Sequence, residues 1–170
     1  MIVVADSSPL VALVNIKQVE ILPRLFGTVL IPPEVHSELL SPRRPPTVRA
    51  FAAHLPLWLE VRTPQVVEAI PGLHLGEQAA LSLAAETKAD LILMDEKAGR
   101  RIAAERRLPV AGTVGVLERA AEQQLLNLRE VFDLLKNTDF WVSPALLDAR
   151  LEAFEQNQAG ARARQPGLER

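Results

Sequence analysis

Short runs dominated by apolar residues recur at 2–5, 28–31, 57–61, 91–94 and 109–112. Longer stretches with helical spacing lie between them, at 9–16, 32–40, 76–89, 96–107 and 113–124. The runs are too short for buried helices and almost continuously apolar, which is the pattern of strands covered on both faces. Strands alternating with helices predict an α/β fold, a parallel sheet between two helical layers. Pro32 and Pro33 suit a helix start, and the segment 76–89 is rich in Ala and Leu, both strong helix formers. Thr113 is placed to cap the helix that follows the fifth run. Beyond residue 126 the periodicity predicts two further helices, at 128–137 and 144–157. The linking segment 138–144 carries Phe140 and Trp141, expected as a docking contact. The expected organisation is a domain over 1–126, a helical extension over 127–157 and a mobile tail over 158–170.

Composition narrows the class. The chain has 170 residues, 48% of them hydrophobic, which suits one domain with a sizeable core. No apolar stretch reaches transmembrane length, and Asp6 interrupts the apolar start too early for a signal peptide. With zero cysteines, thiolate metal sites and disulfides are excluded, and a reducing cytoplasm is the expected setting. The net charge of −2 gives no overall basic field. Local clusters differ: Lys97, Arg100, Arg101, Arg106 and Arg107 share one segment, and Arg43, Arg44 and Arg49 another. Either set reads as a solvated face or as a phosphate-contacting rim.

Candidate chemistry lies where strands end. The first run stops at Asp6 and the fourth at Asp95, and the carboxyl ends of parallel strands face a common crevice. Glu34 and Glu38 lie one turn apart on the helix after the second run. Glu77 opens a later helix, where an acid also complements the helix dipole. Several carboxylates in one place repel one another unless protonated or neutralised by a cation. Oxygen donors with few histidines suit Mg²⁺ or Mn²⁺ rather than Zn²⁺. Ser7 and Ser8 can bond these carboxylates or cap the helix beyond them. His36, His54 and His74 show no close metal spacing. No G-x-S-x-G elbow, Walker lysine loop or G-x-G-x-x-G is present. A phosphotransfer receiver would want a lysine after the fifth strand, and a D-x-D phosphatase an Asp in place of Ser8.

The segments VVADSSPLVAL, LIPPEVHSEL, LHLGEQAALSLAAETKADLILMDEKAGRRIA and LPVAGTVGVLERA, in that order, resemble the PIN domain, a metal-dependent nuclease fold. The closest likeness is to small prokaryotic PIN-like proteins, toxin ribonucleases among them. The resemblance implies a three-layer α/β/α fold with about five parallel strands, here with C-terminal helices added. It implies metal-holding and catalytic roles for Asp6, Glu38 (rather than Glu34), Glu77 and Asp95, with Ser8 and Thr113 in support. Mg²⁺ or Mn²⁺ is the implied cofactor, single-stranded or looped RNA the substrate, and a small antitoxin the partner. Lys97, Arg100 and Arg101 are the RNA-binding candidates, and a homodimer is expected. Glu at 77 and the extra helices depart from the usual pattern. They leave room for a module that binds metal, RNA or protein without cleaving.

Overall fold

The computed structural model describes residues 1–164. Each apolar run contributes a strand: β1 (Val3–Ala5), β2 (Val29–Ile31), β3 (Leu59–Val61), β4 (Leu91–Leu93) and β5 (Val110–Ala111). The strands form one parallel sheet in the order β3-β2-β1-β4-β5. Helices cover both sides, giving the expected α/β/α sandwich. β1 is central and wholly buried, which is why its sequence is apolar without alternation.

The order of strands decides where a site can form. From β1 the chain moves outward through β2 to β3, then returns to the other side of β1 and moves outward through β4 to β5. β1 and β4 therefore flank the point where the winding reverses. Their carboxyl ends open into the crevice that such sheets use for ligands.

The connecting helices are α1 (Ser7–Asn15), α2 (Ile21–Phe26), α3 (Pro33–Leu39), α4 (Pro46–Ala53), α5 (Leu75–Thr87), α6 (Lys97–Glu105) and α7 (Thr113–Glu122). α5 packs against β1 and β4, and also contacts α3 and α6. It ends with Lys88 in the left-handed conformation (φ 51), which turns the chain back into β4. Two helices escape the periodicity. α2 is only six residues long and contains Pro23 in its first turn. α4 occupies what reads as a polar, Arg- and Pro-rich loop. Pro46 suits its first turn, and Val48 and Ala52, four apart, bury its inner face.

The chain continues into α8 (Leu128–Lys136) and α9 (Pro144–Ala163). α8 buries Leu128, Val131, Phe132 and Leu135 along one stripe, and α9 adds Leu147 and Leu151. α9 runs to Ala163, so residues 158–163, expected in a mobile tail, are helical. The rest of that tail, from residue 165, lies outside the described residues. Among the described residues no helix is long and apolar enough to cross a membrane.

Candidate active site

Asp6 ends β1 and stands as N-cap of α1, yet its side chain makes no capping bond. It is 2% exposed, and Oδ1 is buried with no hydrogen-bond partner. Its amide N–H continues the strand ladder, donating to the Leu93 carbonyl at 2.9 Å. The Asp6 backbone is thus held on the central pair of the sheet, while one carboxylate oxygen is left without a donor.

The other acids arrive from three elements. Glu38, near the end of α3, has both oxygens engaged. Oε2 accepts from the Ser7 hydroxyl at 2.6 Å and Oε1 from the Gly76 N–H at 3.1 Å. Glu77, in the first turn of α5, is 5% exposed. Its Oε2 accepts from the His74 N–H at 2.9 Å, while Oε1 is buried and unpartnered. The capping role and a ligand role therefore fall on different oxygens of one carboxylate. Asp95 follows β4 and is held by Thr113, through the backbone N–H at 2.7 Å and the hydroxyl at 2.8 Å.

The other three carboxylates act on Asp6. Burial pushes the Asp6 carboxyl up to about 7, and Glu38, Glu77 and Asp95 push in the same direction against the Ser7 N–H. Burial also raises Asp95, opposed by the two Thr113 bonds and by the nearby Arg100 guanidinium. Among the described residues, no three acidic or histidine side chains converge closely enough to form a ready metal cage. The donor set still fits a hard divalent cation. It consists of carboxylate oxygens, and two of them, Asp6 Oδ1 and Glu77 Oε1, are buried without any donor.

Three glycines give these carboxylates their space. A Cβ on Gly76 would collide with the Glu38 carboxylate. One on Gly99 would strike Met94 Sδ and come within 3.0 Å of Glu77 Oε1. One on Gly112 would meet Arg100 and come within 2.9 Å of Asp95 Oδ1. Three of the four acids therefore each abut a position where a side chain would force a neighbour to move. Gly112 reads in the sequence as a strand end and directly follows β5, and nothing in the sequence ties it, Gly76 or Gly99 to the carboxylates.

The hydroxyls differ from expectation in detail. Thr113 opens α7 but Gly112 is its N-cap; the Thr113 hydroxyl serves Asp95 instead. Ser7, rather than Ser8, is the serine bonded to a site carboxylate. Ser8 lines the adjoining cleft. Glu34 lies in the first turn of α3, and Glu38 is the acid of that helix that Ser7 and Gly76 hold. The basic segment after Asp95 is dispersed. Lys97 is exposed, Arg101 reaches Glu105 at 3.5 Å, and Arg106 makes a two-pronged pair with Glu68. Arg100 alone of this segment turns toward the site, with Nη1 3.4 Å from the Met94 carbonyl.

Comparison with known proteins adds a family. A family model described as a PIN domain matches residues 2–156, through α8 and into α9. No curated protein matches the chain.

Proposed function

The chain belongs to the PIN-domain family, whose fold is that of nucleases, and from that premise we propose that it is a metal-dependent endoribonuclease. One observation carries the reading: the site acids hold two buried oxygens without donors, Asp6 Oδ1 and Glu77 Oε1, as Glu34 Oε2 also is in α3, and the other site acids push on Asp6. Asp6 and Glu77 would hold a Mg²⁺ or Mn²⁺ ion, with Glu38 and Asp95 completing the anionic wall. Such an ion supplies Lewis acidity toward a phosphodiester and a more acidic water for in-line attack. The protein's part is positioning. Thr113 fixes the Asp95 carboxylate by two bonds, and Ser7 and the Gly76 N–H fix that of Glu38. Arg100 offsets part of the negative charge beside Asp95.

RNA is the proposed substrate, single-stranded or looped, because one exposed phosphate must enter an acidic crevice. A small antitoxin, a homodimer and a cytoplasmic setting belong to the same reading. A second reading, a module that binds metal and RNA or protein without cleaving, has one observation in its favour. Both oxygens of Glu38 and both of Asp95 already accept bonds from protein donors.

The test is RNA cleavage by purified protein in Mn²⁺, in Mg²⁺ and in chelator, beside Asp6→Asn and Asp95→Asn. Metal-dependent cleavage lost in both variants supports the nuclease. Metal binding without cleavage supports the module. Cleavage indifferent to both variants removes the site from the mechanism.

A further inference from the structure

A cleft of about 330 Å³ reaches Asp95, alone of the four site carboxylates, and is lined also by Ser8, Arg43, Arg44 and Trp141. Ligand pockets start at about 300 Å³, so its size suits one nucleotide of a strand rather than a duplex. Both arginines stand on the turn between α3 and α4. That turn is built: the Arg44 N–H bonds the Ser41 carbonyl at 2.9 Å, and the Arg44 carbonyl accepts from Arg49 Nε at 3.2 Å. Pro42, Pro45 and Pro46 stiffen it further. Arg44 Nε donates to the Glu38 carbonyl at 3.4 Å, and neither guanidinium pairs with a carboxylate among the described residues.

Trp141 faces them from the connection between α8 and α9. Its neighbour Phe140 packs against the core, and the Phe140 N–H bonds the Thr138 hydroxyl at 3.2 Å. Ser143 caps α9 by accepting from the Leu146 N–H at 3.1 Å. The segment is pinned on both sides, yet Trp141 itself is 68% exposed. A large ring held out on an anchored turn is the form of a stacking platform. Asp139 and Glu96 also line the cleft, so it is not a uniformly basic trough. It favours a ligand that offers a phosphate and a flat ring together over a bare polyanion.

Resting on the nuclease reading above, we infer that this cleft seats the single strand being cut, with Arg43 and Arg44 on its phosphates and a base stacked on Trp141. Continuity with Asp95 favours the substrate strand over a protein partner: a strand threaded here carries its phosphodiester to the carboxylates.

The test uses the full chain in Ca²⁺ and a single-stranded 2′-O-methyl oligouridylate of about ten nucleotides, within the span such sites cover. In a Trp58→Phe background the oligonucleotide quenches the remaining tryptophan emission saturably. By anisotropy of the same oligonucleotide carrying a fluorescent label, Trp141→Ala weakens binding about 5- to 100-fold, as loss of one stacked base does, while Trp141→Phe stays within about threefold of wild type. Arg43→Ala and Arg44→Ala each reduce the salt slope of log K by about 0.7. Trp141 is exposed, so circular dichroism of its variants stays unchanged. Equal affinity of wild type and Trp141→Ala overturns the proposal. So does a Trp141→Ala change in the protein's own sedimentation without any quenching, which makes the surface a self-association face. The two readings fail separately. Cleavage that needs Asp6 but ignores Trp141→Ala removes only the cleft assignment. Binding losses as stated, without any cleavage in Mn²⁺, remove only the nuclease.

Discussion

Three ion pairs tie the C-terminal helices to each other and to the body: Arg150 with Glu118, Arg129 with Glu155 at 2.6 Å and Lys136 with Asp148 at 2.6 Å. Each acid there has a cation and most of these groups remain in water. At the strand ends, Arg100 offsets Asp95, while Asp6 and Glu77 are almost wholly buried. The surface arrangement lowers the energy of the charges it contains. The buried one raises it and leaves the relief to a proton or to something bound. A fold that pairs charges where water already screens them, and leaves them unpaired where it does not, has a use for the second set.

The comparison breaks first at Asp6. Asp6→Asn removes the charge but keeps the shape, and metal-dependent cleavage is expected to fall by about 10³-fold, several kcal/mol of transition-state stabilisation. Rates measured in saturating Mn²⁺ on one RNA check this.

The same residue gives a pH signature. Its folded pKa, about 7, lies above the ordinary 3.8. The protonated form is favoured by the fold, so that stability is fully present below the ordinary value and is lost as pH rises through about 7. Without divalent ions, wild type should lose about 4 kcal/mol relative to Asp6→Asn between acid and pH 8. Urea unfolding of both proteins across that range measures the difference. Added Mn²⁺ should flatten the wild-type slope, and an equal slope for the two proteins would show that burial and neighbouring acids do not favour the protonated Asp6.

Gly99→Ala sharpens the contrast, since it forces Met94 and Glu77 to shift within a full core. A cost of about 1–3 kcal/mol is expected from overpacking. Gly76→Ala displaces the end of a flexible glutamate instead. Its main expected effect is a loss of metal affinity of about 10- to 100-fold, read by calorimetric titration. Smallest is the surface set. Arg129→Ala should cost under about 1 kcal/mol, a melting shift of a few degrees at most, because both partners in its pair with Glu155 stay hydrated.

The sheet was legible because strands buried on both faces cannot hide their composition. Residues 3–5 and 91–93 have no polar position to spare, so the acids that end them stand out. α2 and α4 were illegible because one is too short for a period and the other begins with prolines and arginines. The two roles of Glu77 could not be separated, since a sequence gives one carboxylate and the fold divides its oxygens. The glycines were silent for a related reason. A residue that matters by having no side chain leaves no chemical mark until its neighbours are placed. Likewise the cleft joins residues 43 and 141, which nothing in their local patterns connects.

The hydrogen bond from the Asp6 amide to Leu93 has a kinetic corollary. It is the last rung between β1 and β4, and both of its residues are almost wholly buried, so its proton should exchange slowly with deuterium. The Asp6 main chain then cannot drift aside on the timescale of turnover, and crowding at its oxygens has to be answered by what enters the crevice. Slow exchange at Asp6 and Met94 would mark that wall of the crevice as fixed.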